Sequence, residues 1–211
     1  VIKTAKSLGV NSPLLNSPSI ALGTSEVNLL ELTSAYNVLA NNGDGIFVHG
    51  IRSIENTAGK LLFMREGSGP GKVLDPFVVS TMTKMMEQTI SSGTGRKAKI
   101  NRPAAGKTGT SQSLRDAWFI GFTSDLVVGV WFGNDNDSPM NEITGGTAPA
   151  ILWSDFMQKA HNGVPVKSLN YVSEQKKRKL RNNDKINKII SKSKRLNEQK
   201  SVFERILDNF F

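Results

Sequence analysis

The chain has 211 residues, 38% of them hydrophobic and 21% charged, which suffices for one domain with its own core. It contains no cysteine, which excludes disulfides and thiolate metal sites, and its two histidines, His49 and His161, are isolated, which argues against an imidazole metal site; no metal and no cofactor is expected. The formal net charge is +9, no apolar run approaches the roughly 20 residues of a membrane span, and nothing at the N-terminus resembles a signal peptide.

In chain order, residues 2–8 read as the end of a helix closed by Gly9. Residues 26–40 read as an amphipathic helix with Val27, Leu30, Tyr36 and Leu39 among its apolar positions and Gly43 just past its end. Gly45 to Ile54 and Lys60 to Met64 flank Asn56-Thr57-Ala58-Gly59, a hairpin signature. Asp75-Pro76 opens a helix to about Ile90, with Asp as cap and Pro in the first turn; Val78, Met82, Met85, Met86 and Ile90 make its expected apolar face. A Gly- and Pro-bearing loop, Gly93 to Pro103, leads into three strand candidates: Ala105 to Ser111, Ala117 to Thr123, and Leu126 to Phe132. Thr123-Ser124-Asp125 has the length of a hairpin connection between the last two. A final helix is expected over Thr147 to Ala160, with Pro149 in its first turn and Gly163 after it. Strands between helices predict an α+β fold with an antiparallel sheet packed on helices.

The chemistry concentrates in Ala105-Gly106-Lys107-Thr108-Gly109-Thr110-Ser111. A strand-borne Lys107 places a positive charge where a substrate carboxylate can dock, and Thr108 adds a directional hydroxyl. Gly109 has no Cβ, so the strand backbone can approach a ligand closely. The N–H of Thr110 can then face a developing oxyanion. The bland alternative is a solvated strand end, about as common for the triplet alone. Asp116 and Glu87 have no evident catalytic partner and read as structural.

With its flanking blocks the chain resembles the transpeptidase domain of class A (bifunctional) penicillin-binding proteins. The blocks run in family order: Ala21-Leu22-Gly23-Thr24-Ser25-Glu26-Val27; Leu30 to Tyr36 with Ala40-Asn41-Asn42-Gly43; Gly93-Thr94-Gly95-Arg96-Lys97-Ala98; Ala105 to Thr110; Asp116 to Phe122; Gly129 to Asp135; and Gly145 to Trp153. The resemblance covers about residues 1–160 and implies the penicillin-binding, serine β-lactamase-like transpeptidase fold. It implies a serine D,D-transpeptidase that cross-links peptidoglycan stem peptides ending in D-Ala-D-Ala and is acylated by β-lactams, at the extracytoplasmic face of the bacterial inner membrane. Lys107 and Thr110 are then the catalytic candidates, and Thr108, Gly109 and Ser111 the substrate-binding ones.

The family's Ser-x-x-Lys nucleophile and Ser-x-Asn motif precede the Lys-Thr-Gly triplet, and nothing before Lys107 supplies either. Ser168-Leu169-Asn170, Ser173 to Lys176 and Ser191 to Lys194 carry the patterns, but they follow Lys107 in a Lys-rich segment and read as chance matches. The expectation is a domain whose N-terminal half lies upstream of Val1, where the membrane anchor would also be, and a chain inactive without that partner segment. A β-lactamase or D,D-carboxypeptidase of the same fold, and a non-catalytic remnant or anion binder, remain alternatives.

The domain is expected to end at 166. Residues 167–211 carry 13 Lys and Arg against 5 Asp and Glu, net +8, while residues 1–166 carry 14 against 13. The segment from 167 reads as a solvated, partly helical or disordered extension, with an anionic membrane surface or nucleic acid as possible partner.

Overall fold

The computed structural model describes residues 1–67 and 69–171, with Asn183 and Ser191 as isolated positions. The expected extension therefore lies almost wholly outside the described residues.

Among residues 1–171, four α-helices and seven strands follow in order, besides three short 3-10 turns: α1 (Ile2–Ser7), α2 (Leu29–Ala40), β1 (Asp44–Gly45), β2 (Ser53–Glu55), β3 (Leu61–Met64), β4 (Gly71–Lys72), α3 (Pro76–Ser91), β5 (Ala105–Thr110), β6 (Asp116–Phe122), β7 (Val127–Gly133) and α4 (Ala148–Ala160). Local chemistry explains the helix starts. Asn28 caps α2, its Oδ1 accepting from Glu31 N at 2.9 Å. Asp75 caps α3, its Oδ1 accepting from Phe77 N at 2.7 Å, with Pro76 in the first turn where a missing N–H costs nothing. The second helix thus starts three residues later than the apolar pattern alone places it, because Asn28 takes the N–H groups that open it.

β5, β6 and β7 form one antiparallel sheet in that order, with Lys107 opposite Ile120, Thr108 opposite Phe119 and Gly109 opposite Trp118. The register continues across β6 and β7, Trp118 facing Trp131 and Phe119 facing Val130. Alternation along the strands sorts the side chains onto two faces. Phe119 and Val130 pack with Trp153 and Met157 of α4 and with Ile90. Ala105 and Phe122 pack with Met86 of α3, Tyr36 and Leu39 of α2, and Leu169. Burial pushes the Tyr36 phenol up to about 12.

His161 ties the β6–β7 turn to the end of α4. Met157 O can only accept, so His161 Nδ1 donates to it at 2.7 Å, and Nε2 pairs with Thr123 Oγ1 at 2.9 Å. Thr123 Oγ1 in turn accepts from the N–H groups of Asp125 and Leu126, each at 3.2 Å.

The structure corrects the sequence in two places. Gly45 to Ile54 is not one strand. Gly43 takes φ +91, its N–H donating to Val38 O and its carbonyl accepting from Val73 and Leu74, so β1 pairs with β4 instead of continuing into the hairpin of β2 and β3. A Cβ on Gly43 would collide with Leu74 O, so a side chain is excluded there for steric as well as conformational reasons. The buried face of α3 is Val79, Ser80, Thr83, Met86 and Ile90; Val78, Met82 and Met85 are 45%, 38% and 55% exposed. Hydrophobicity misled here because Ser80 and Thr83 occupy the interior positions. The first of two compact units runs from Val1 to Tyr171; Lys167 bonds Asp125, and Leu169 enters the core.

Candidate active site

β5 is an edge strand whose inner residues, Ala105 and Gly106, are buried and whose outer residues open to solvent at Lys107 and Thr110. That gradient anchors the strand at one end and presents its chemistry at the other. Lys107 is exposed, and its Nζ donates to Thr108 O at 2.8 Å. Among the described residues no carboxylate forms an ion pair with it, so its charge is available to an anionic ligand.

Three expected site residues are each held by a segment distant in sequence. Thr108 Oγ1 lies 2.6 Å from Thr94 Oγ1, in the loop that follows α3. Thr110 Oγ1 accepts from Gly145 N at 3.0 Å, which brings the loop preceding α4 over the strand. A Cβ on Gly145 would collide with the carbonyls of Trp118 and Gly109, so glycine alone lets this loop lie on the sheet backbone. Gly109 is in turn close-packed by Trp118, whose Cβ would sit 3.2 Å from a Cβ at 109.

Ser111 is part of the β5–β6 connection. Its Oγ accepts from Asp116 N at 2.7 Å and its N–H donates to Asp116 O at 3.0 Å. Asp116 Oδ1 accepts from Trp131 Nε1 at 2.9 Å, beside the tilted Trp118–Trp131 pair. Lys107, Thr108, Gly109 and Thr110 are thus brought to one exposed strand end, while Ser111 sits at its margin and Asp116 braces the sheet. The geometry adds Thr94 and Gly145, whose sequence signal was a Gly-rich setting without a partner. Chemically, this edge offers an exposed ammonium, two oriented hydroxyls and main-chain N–H groups, a set suited to a carboxylate and to a polarised carbonyl oxygen. Among the described residues no three His, Cys, Asp or Glu side chains converge as a metal site.

Residues 4–158 match the family model described as the penicillin binding protein transpeptidase domain, and the chain belongs to that family. It is 36% identical over 174 residues to penicillin-binding protein 2D of Bacillus subtilis, covering 78% of this chain and 25% of the relative. It is 35% identical over 166 residues to penicillin-binding protein 1A of Neisseria meningitidis, covering 75% and 21%. The likeness to class A penicillin-binding proteins is borne out, and the chain spans about a quarter or less of these curated relatives' length. Two solved structures share the fold. PonA1 of Mycobacterium tuberculosis superposes with a TM-score of 0.72 at 24% identity, covering 81% of this chain and 51% of that one. Penicillin-binding protein 1A of Haemophilus influenzae gives 0.69 at 24% identity, covering 78% and 31%. A PonA1 structure of the same likeness was solved in complex with penicillin V.

Proposed function

We propose that this chain is the Lys-Thr-Gly half of a serine D,D-transpeptidase site, in which β5 holds the donor stem peptide while a serine supplied from upstream of Val1 attacks the penultimate D-Ala carbonyl. The supporting observation is the exposed Lys107, with no ion pair among the described residues, beside two hydroxyls on the strand. In this reading Lys107 helps hold the terminal carboxylate, Thr108 hydrogen-bonds it, and Thr110 N–H stabilises the oxyanion; Gly109 gives the peptide close access and Ser111 borders the cleft. A β-lactam occupies the same place because its carboxylate and strained amide carbonyl mimic the D-Ala-D-Ala end. The penicillin V complex of the similar PonA1 fold fits this assignment. The enzyme would work at the extracytoplasmic membrane face, held there by a segment outside this chain; no helix among the described residues is long and apolar enough to cross a membrane.

Labelling with a fluorescent penicillin on a denaturing gel tests the assignment. The 211-residue chain alone should stay unlabelled, because a lysine and oxyanion donors form no acyl-enzyme without a nucleophile. A longer polypeptide that includes the upstream Ser-x-x-Lys segment should label, and Lys107→Ala should slow its acylation by about one to two decades, the worth of a charge-assisted bond to a carboxylate. A band from the chain alone that vanishes on Ser173→Ala or Ser191→Ala would overturn the reading, and undiminished acylation in folded Lys107→Ala would remove Lys107 from the site.

A further inference from the structure

Thr94 and Thr108 place their hydroxyl oxygens 2.6 Å apart, inside the range of an O–H···O bond, and one of the two must donate. Thr94 reaches this position because its loop is wrapped back onto the end of α3. Gly93 N donates to Gln88 O at 2.8 Å and Gly95 N to Thr89 O at 2.9 Å. From the other side, Gly146 closes against the loop, where any Cβ would collide with Thr94 O. The loop after α3 and the loop before α4 thus meet at the Thr94–Thr108 pair.

We propose that Thr94 is a positioning residue for the ligand carboxylate: its hydroxyl donates to Thr108 Oγ1, so that the single hydroxyl proton of Thr108 is delivered to the ligand. The inference rests on the reading of β5 as the carboxylate-holding strand. An ionised carboxylate has acceptors only, so Thr108 can serve it only by donating. Having given its proton to the ligand, Thr108 Oγ1 can only accept from Thr94. The bound state therefore admits one direction, Thr94 to Thr108 to carboxylate, whereas the unbound pair can run either way. Donation from Thr94 also polarises the Thr108 O–H in the direction that strengthens its bond to the ligand. Thr108 is β-branched, with few χ1 choices, and the neighbouring hydroxyl favours the one that faces Thr94.

The test is the second-order rate of acylation by a fluorescent penicillin in the longer polypeptide that carries the upstream nucleophile. Thr94→Val should lower the rate roughly three- to tenfold, the range of one neutral hydrogen bond, and Thr94→Ser should restore it to within about twofold of the parent. On a Thr108→Val background, Thr94→Val should cost nothing more, because the bond it supports is already gone. A Thr94→Val loss that persists on that background, or a Ser variant as impaired as the Val variant, would assign Thr94 a merely structural role and overturn the proposal. A normal loss at Thr108→Val with none at Thr94→Val would also overturn it while sparing the carboxylate-strand reading. An unchanged rate at Thr108→Val would instead sink that reading, and the proposal with it.

Discussion

Trp153 joins three elements through one side chain. It is fully buried on α4, its ring meets Phe119 of β6 edge-on at 5.2 Å, and its Nε1 donates to Gly121 O at 3.3 Å and Val128 O at 3.1 Å. The indole thus stitches neighbouring strands together while filling the space between sheet and helix, and Gly121 lies so close that a Cβ would fall 2.8 Å from the ring. Trp153→Ala should remove about 3–5 kcal/mol of stability and lower Tm by roughly 10 °C in a thermal melt followed by circular dichroism. A fall of only a degree or two would show that α4 is dispensable to the sheet. At this scale the sequence displayed Lys107 to Ser111 as a motif but not what holds it. The Thr94–Thr108 bond spans 14 residues and the Thr110–Gly145 bond spans 35. Neither spacing has a local signature, because both depend on loops folding back across a finished sheet.

Among the elements, those with local punctuation were legible. Asp75-Pro76 marked the start of α3, Gly43 the end of α2, and the apolar run Leu126 to Phe132 announced β7. What was not legible is how an element is turned. The polar Ser80 and Thr83 of α3 face inward while Met82 and Met85 face out, a choice made by the sheet and not by the helix. α2 carries another tertiary device that no pattern announces. The Glu31 carboxylate accepts from Asn11 N at 3.1 Å, Ser12 N at 3.2 Å and Ser12 Oγ at 2.6 Å, fastening the segment after α1 to the first turn of the helix. The Ser12 hydroxyl chiefly, then the two main-chain N–H groups and the charge of Lys6, hold the Glu31 carboxyl below its usual 4.5 against an opposing effect of burial. A depressed folded value means that the ionised form is the stabilising one. Its contribution is complete above about pH 4.5 and is lost as pH falls through the lower folded value. Glu31→Gln should therefore lower Tm by at most a few degrees at pH 7, given its partial exposure, and by less at pH 3. Calorimetry at the two pH values decides: an equal difference at both would mean that the geometry of the side chain matters and its charge does not.

For the whole molecule, the chain divides into two compact units, residues 1–171 and 172–211, and packing fixes where the first one ends. Lys167 Nζ bonds Asp125 Oδ1 at 2.6 Å, and Leu169 is 4% exposed among Met86, Ala105 and Phe122. Tyr171 lies with its ring 5.7 Å from Lys84 Nζ, and burial, then the adjacent Glu87 carboxylate, raises its phenol pKa. Glu87 is thereby a docking partner for Tyr171, the last residue of the first compact unit. Beyond Tyr171, 12 Lys and Arg stand against 5 Asp and Glu, net +7 of the chain's +9. Most of the net charge therefore lies beyond this point, and two truncations should separate its effect from that of the packed residues before it. Ending the chain after Val166 removes Leu169, whose burial is worth about 1.5–3 kcal/mol, and should lower Tm by several degrees. Ending it after Tyr171 should leave Tm unchanged. Both truncations should abolish binding to anionic vesicles measured by co-sedimentation, and binding of the full chain should fade with added salt, since exposed charges are screened within about 10 Å at 0.1 M. If the chain ending at Tyr171 melts several degrees lower, the basic segment is part of the fold. If vesicle binding by the full chain survives high salt, its apolar residues, Phe203, Ile206, Leu207 and Phe210 among them, carry the attraction and its charge does not.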